Sequence, residues 1–277
     1  MLPLSDWPLA ARRNIIGVFT DIDDTLTTDG AITTDALKAL GELKTAGLHV
    51  IPITGRPVGW SEQVAFGGDK TWPVDAVVAE NGSTALFLNQ TGFSLPKKKH
   101  EQLLKIYQQD GATRSKNYER MQQIAQRVQR EVSGAVLSQD SGGRETDIAI
   151  DHSEFAQLSA EKMNQVVQIM QSEGMNATIS SIHINGWFGD HNKLAGARWI
   201  VRELFGRDLD DEMDRWVYVG DSTNDTLMFE HFAHSVGVAN ILRFEAELSH
   251  KPRYITLAER GAGFAEVARA LLQAAKP

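Results

Sequence analysis

The chain has 277 residues, 28 Lys and Arg against 36 Asp and Glu, a formal net charge of −8 and 42% hydrophobic residues. At roughly 100–200 residues per domain the length suggests about two domains, and the composition is that of a globular chain and excludes dominant disorder. The absence of cysteine removes disulfides, thiolate catalysis and Cys-ligated metals, and the acidic balance gives no general attraction to nucleic acid or anionic lipid.

No apolar run approaches the roughly 18 residues that cross a bilayer. The opening residues 1–7 carry Asp6 and no basic stretch, so no membrane partner and no leader are expected, and the location is expected to be cytoplasmic. Residues 15–19 then predict a buried strand, 34–46 an amphipathic helix, and 48–53 a second strand with Pro52 at an edge or a frayed end. A helix over 58–66 and strands at 75–79 and 84–88 follow. From about residue 89 the character changes. Polar helical periodicity at 101–109 and 118–132 precedes short strands at 135–138 and 146–150, a helix at 159–173, and strands at 177–180 and 182–184. A loop at 186–192 returns to alternation: helix 193–205, strand 216–219, helix 223–232, strand 235–238 and helix 263–275. The pattern predicts an α/β fold, a Rossmann-like parallel-sheet core formed by 1–89 and 186–277, with an inserted α+β cap at 90–185.

In open α/β sheets ligands bind outside the carboxyl ends of the strands, and those ends carry the chemistry here. The first strand runs into Asp21, Asp23, Asp24 and Thr25, the second into Thr54, Gly55 and Arg56, the third into Glu80, Asn81 and Gly82, and a late strand into Asp221, Ser222, Asn224 and Asp225. Single residues such as Thr34, Asp190 or Asn192 read as helix caps. Asp21 and Asp23 together do not, because residues two apart on a strand project to one side and two carboxylates there repel. Asp221 and Asp225 raise that cost, so the cluster predicts a hard divalent cation, Mg²⁺ before Ca²⁺. A metal-neutralised phosphate is a candidate ligand, with Thr54 and the Gly55 amide as its hydrogen-bond donors. Lys193 adds charge beside helix N-terminal amides, although by spacing alone it reads as a solvated surface lysine.

These four ordered segments, around Asp21 and Asp23, Thr54, Lys193, and Asp221 to Asp225, resemble the motifs of the haloacid dehalogenase-like phosphohydrolases. The resemblance implies that Asp21 is nucleophile and metal ligand and that Asp23 is acid/base and offers its carbonyl to the metal. It further implies that Thr54, Gly55, Lys193 and Asn224 bind phosphate and that Asp221 and Asp225 complete the metal site. The insertion after Glu80-Asn81-Gly82 is similar to that of the Cof-type, sucrose-phosphate and mannosyl-phosphoglycerate phosphatase branch. Asp24 stands where many relatives have glycine. The expectation is a Mg²⁺-dependent hydrolase of a small phosphorylated metabolite, a sugar phosphate, acting through an aspartyl-phosphate. A phosphomutase of the same branch and a non-catalytic metabolite-binding protein are the alternatives.

Within the cap, Arg144, Asp147 and His183 are the candidate substrate residues, against the reading that each lies on a solvated sheet face. Residues 97–100 read as a solvated stretch and His231 and His234 as packing or surface residues. Trp60, Trp199 and Trp216 read as core, while Trp187 and Phe188, on the return from cap to core, are possible ligand contacts.

Overall fold

Strand Gly17–Thr20 is buried along its whole length and lies between two parallel neighbours, His49–Pro52 and Trp216–Gly220. The computed structural model describes residues 1–68, 71–89 and 102–275. Its main sheet has six parallel strands in the order Leu2–Pro3, Tyr254–Ile255, His234–Gly237, Trp216–Gly220, Gly17–Thr20, His49–Pro52. Pro52 is the last residue of the strand at one end of that order, where a missing ladder donor costs least.

The alternation of side chains along these strands divides the core in two. Val18, Val50, Val217 and Val219 face helices Thr34–Thr45 and Arg260–Ala275. Phe19, Ile51, Trp216 and Tyr218 face helix Lys193–Phe205. Gly17 sits opposite Trp216 in register, and a Cβ there would lie 2.3 Å from the indole. At roughly 1.5–3 kcal/mol per large side chain buried, these layers hold the strand ends rigid.

Around this sheet several expectations are corrected. Strand Val77–Ala79 joins the main sheet only by the bridge Ile53–Val78 and pairs antiparallel with Thr84–Leu88. The helix expected over 101–109 is, in its described part, a strand, Leu103–Tyr107, antiparallel to Thr84–Leu88. A short run rich in Leu, Ile and Tyr fits both periods, and an available strand edge decides for the sheet. Residues 97–100 lie outside the described residues. Asp29 and Gly30, both at positive φ, close a two-residue hairpin between Thr27–Thr28 and Ala31–Ile32, the turn that an Asp-Gly pair favours.

A separate four-stranded antiparallel sheet, ordered Asn176–Ile179, His183–Trp187, Asp147–Asp151, Val136–Leu137, carries helices Gly111–Glu131 and Ala160–Ser172 on one face. Ile148, Ile150, Ile184 and Ala177 pack there with Val128, Val166 and Met170. The opposite residues of the same strands, Asp147, His183, Asn185 and Trp187, are also buried. They face the parallel-sheet core rather than water. Strand His183–Trp187 runs through residues 185 and 186, where the expected cap ends.

Among the described residues, no helix is long and apolar enough to cross a membrane.

Candidate active site

The carboxyl ends of the two adjacent central strands bring Asp21 and Asp221 together. The Asp21 amide donates to Val219 O at 2.8 Å. Asp21, Asp221 and Asp225, all buried, present carboxylate oxygens within 4.8 Å of one another. Lys193 is 3% exposed, not a solvated lysine, and its Nζ lies 2.6 Å from both Asp21 Oδ1 and Asp225 Oδ1. It stands at the first position of its helix because Asn192 caps that helix, accepting from Ala195 N at 2.8 Å.

Asp225 is held on all sides. Lys193 and the Tyr218 hydroxyl donate to its Oδ1, and the amides of Asp221 and Ser222 donate to its Oδ2 at 2.9 and 3.2 Å. Asp221 accepts from Asn240 Nδ2 at 3.1 Å and, at 3.4 Å, from the Thr25 hydroxyl. Burial pushes Asp21 up to about 8, Lys193 opposing and Asp225 and Asp23 adding to it. Asp221 is pushed well above the usual carboxylate range by burial and by Asp21 and Asp225. One ammonium is thus outnumbered by buried carboxylates, and an oxygen-rich donor set with surplus negative charge fits a hard divalent cation. The oxygens of Asp21 and Asp221 are the less occupied ones, and Asp225 braces them.

Asp23 lines a small cavity together with Asp21, Gly55, Asn185 and Asn224. Its carboxylate is held by Arg56, whose Nε lies 3.0 Å from each oxygen. The other nitrogens of Arg56 reach Asp140 at 3.1 Å and Glu154 at 2.9 Å, both from the antiparallel-sheet segment. The Thr54 hydroxyl is fully buried and accepts from Arg56 N at 3.0 Å, which leaves its own proton free to donate. Asn224 accepts from the Ser222 hydroxyl at 2.9 Å.

The polar face of the antiparallel sheet closes over these groups. Arg144 bonds Asp147 at 2.7 Å, Asp140 at 3.1 Å and Gly55 O at 3.0 Å. Asn185 bonds Asp147 and Gly55 O, and His183 bonds Glu154 at 2.9 Å. Burial pushes Asp147 up to about 7, against Arg144. Asp140 and Glu154 are held down at about 2, burial being overcome by Arg144 and Ser138 in the first case and by His183 and Arg56 in the second. Helix Val58–Ser61 meets the cap loop closely: a Cβ on Gly59 would lie 2.9 Å from Gly143 Cα.

Thus Asp21, Asp23, Thr54, Gly55, Lys193, Asp221, Asn224 and Asp225 do converge. Arg144, just before the facing sheet, and Asp147 bond each other, whereas His183 lines the same small cavity as Asp21 and Asp23 and bonds Glu154. Several contributors were not assigned from the sequence. Arg56 sat unassigned beside Thr54, Glu154 carried no local signal, and Asn240 lies in the short 3-10 helix Ala239–Phe244 far along the chain. The spacing of Asp140 and Arg144, four apart, was the one usable hint.

The chain belongs to the haloacid dehalogenase-like hydrolase family, whose profile matches residues 18–266. No curated protein is matched by this sequence. Among solved structures it is similar to a protein described as a HAD/COF-like hydrolase from Plasmodium vivax, with TM-score 0.67, 14% identity, and 96% of this chain and 99% of that one covered. A protein from Thermoplasma acidophilum gives 0.66 at 17% identity, covering 93% and 98%. The sucrose-phosphatase of Synechocystis sp. PCC6803, in complex with sucrose and phosphate, gives 0.61 at 17% identity, covering 92% and 97%. At these identities the likeness is one of fold.

Proposed function

We propose that this hydrolase cleaves phosphomonoesters of a small metabolite, a sugar phosphate, with Asp21 as nucleophile. The observation that carries the reading is the position of Asp21, at the end of the central strand, 2.6 Å from the Lys193 ammonium and beside Asp23 in one cavity. Attack of an Asp21 oxygen on phosphorus forms an aspartyl-phosphate and breaks the ester P–O bond, and Asp23 delivers its proton to the leaving oxygen. The same carboxylate then takes a proton from water as it attacks phosphorus, returning Asp21 and inorganic phosphate. Thr54 Oγ, the Gly55 amide, Asn224 and Lys193 hold the phosphoryl oxygens. Asp21, Asp221 and the Asp23 carbonyl, braced by Asp225, would hold Mg²⁺, which neutralises phosphate charge when bound.

In this reading residues 1–89 with 186–277 are the catalytic core and 90–185 the cap, with Leu103–Tyr107 serving as a core-side strand. The chain works in the cytoplasm. The test is Asp21→Asn: phosphate release from every active monoester should fall by at least about a thousandfold while the melting temperature changes little. Near-wild-type turnover would sink the covalent mechanism.

A further inference from the structure

Tyr218 reaches the site from beneath. It is the third residue of strand Trp216–Gly220 and is fully buried. Its ring belongs to the apolar layer, 5.8 Å from the Phe229 ring and 5.9 Å from that of Phe232. The hydroxyl has one partner among the described residues, Asp225 Oδ1. Burial, with Asp225 and Asp21 adding to it, pushes the phenol well above its ordinary 10, so it stays protonated and donates. Gly220 makes room for the pair: a Cβ there would overlap Asp225 Oδ2 and lie 2.9 Å from Tyr218 Cε1.

An ionised carboxylate offers about four acceptor sites. Asp225 fills them, with Lys193 and Tyr218 on Oδ1 and the amides of Asp221 and Ser222 on Oδ2, so its orientation is fixed. Lys193, held charged against burial by Asp21 and Asp225, is an ammonium whose donors rotate freely unless partners hold them. Asp21 Oδ1 and Asp225 Oδ1 each take one N–H at 2.6 Å, which leaves one for a phosphoryl oxygen. Two carboxylate oxygens therefore set where that last N–H points, and the Tyr218 hydroxyl fixes the second of them. Without it, Oδ1 would keep a vacant, buried lone pair beside the ammonium. The ammonium would then turn toward that lone pair and away from the phosphate.

We propose that Tyr218 is a positioning residue for phosphate binding, whose hydroxyl fixes Asp225 Oδ1 so that Lys193 keeps one N–H for the phosphoryl group. This rests on the phosphomonoester reading above.

The test compares wild type with Tyr218→Phe, which removes one oxygen and keeps the ring, and with Phe232→Leu, which loosens the packing of that ring and keeps the hydroxyl. With Mg²⁺ present, calorimetry reads the binding of inorganic phosphate, and kinetics read kcat and KM for p-nitrophenyl phosphate. Tyr218→Phe should weaken phosphate binding and raise KM by about tenfold, the loss expected for one hydrogen bond to a charged group. Its kcat should fall by less than KM rises. Phe232→Leu should lower the melting temperature at least as much, yet bind phosphate as wild type does. Equal phosphate affinity in wild type and Tyr218→Phe overturns the proposal. An equal loss in Phe232→Leu also overturns it, since the role is then one of packing. A wild type that binds phosphate but hydrolyses no monoester overturns the hydrolase reading, while weaker phosphate binding by Tyr218→Phe still supports this one. A wild type that binds no phosphate overturns both.

Discussion

Arg56 Nε stands 3.0 Å from each carboxylate oxygen of Asp23, while the other edge of the same guanidinium carries Asp140 and Glu154 from the facing sheet. A single side chain, 5% exposed, therefore ties the acid/base candidate to the segment that covers it. The planar fork spreads five N–H donors over three nitrogens and so reaches carboxylates on opposite edges, which a point-like ammonium at the end of a shorter reach does not reproduce. Arg56→Lys should lower kcat/KM for phosphomonoesters at least about tenfold, and Arg56→Ala should in addition cost about 3–5 kcal/mol by leaving buried acids unpaired. Kinetics and urea melts check both, and a lysine variant within twofold of wild type would refute the fork.

The same acids give the fold a pH signature. Asp140 and Glu154 sit at about 2, below their ordinary 3.8 and 4.5. A depressed folded pKa contributes stability that is complete above the unfolded value and is lost as pH falls through the folded one. Glu154→Gln should cost about 1–2 kcal/mol at pH 7, the group being partly exposed and screened, and the gap to wild type should close between about pH 4.5 and 2. Urea melts at pH 7 and pH 3 measure this; a gap that does not change with pH contradicts it.

Glu80 fastens the core loop to the cap by another route. Fully buried and at positive φ, it accepts from the amides of Val58, Glu145 and Thr146 and from the Thr146 hydroxyl. Burial pushes its carboxyl up while those donors oppose it. Glu80→Gln turns one acceptor into a donor facing donors and should cost about 2–3 kcal/mol. An equilibrium melt within about 0.5 kcal/mol of wild type, the scatter of neutral surface changes, would show that these bonds add nothing.

The strand ends were legible because charge at the end of an apolar run needs a reason; strand alternation does not extend to Asp21 and Asp23, which follow the strand's last residue Thr20, and the turn beyond it brings both to one cavity. Helix Lys193–Phe205 was legible to the residue, since Asn192 marks its cap. Lys193 itself is not legible from spacing alone, because its burial between Asp21 and Asp225 depends on residues 172 and 32 positions away along the chain. Strand Leu103–Tyr107 was misread because five residues cannot separate the two periods, and its pairing with Thr84–Leu88 is tertiary. Asp147 and His183 were weighed as members of a solvated face, yet both are buried. Their strands alternate polar and apolar as a half-exposed sheet would, and only the core lying against the polar face distinguishes the cases.

Asn240 supplies the last prediction, since its amide can be oriented in only one way. Its Oδ1 accepts from the backbone N–H of Arg260 at 2.9 Å, so the Nδ2 end must face inward. There it donates to Asp24 O at 3.0 Å and Asp221 Oδ2 at 3.1 Å. Asp24, at φ 54 and paired with Arg260 at 3.2 Å, belongs to this brace rather than to the cation cluster. Holding Oδ2 fixes the Asp221 carboxylate, whose Oδ1 accepts from the Thr25 hydroxyl at 3.4 Å. Groups that orient a metal ligand in this way are typically worth about 10–100-fold in metal affinity. Protein stripped with EDTA should lose phosphatase activity and regain it with Mg²⁺, and Mg²⁺ alone should raise its melting temperature by mass action. Asn240→Ala should need at least about tenfold more Mg²⁺ for the same thermal shift and for half-maximal activity, with kcat largely recovered at saturating metal. If instead the variant follows the wild-type Mg²⁺ titration, Asn240 does not position Asp221. Full activity after exhaustive chelation would remove the metal from the mechanism altogether.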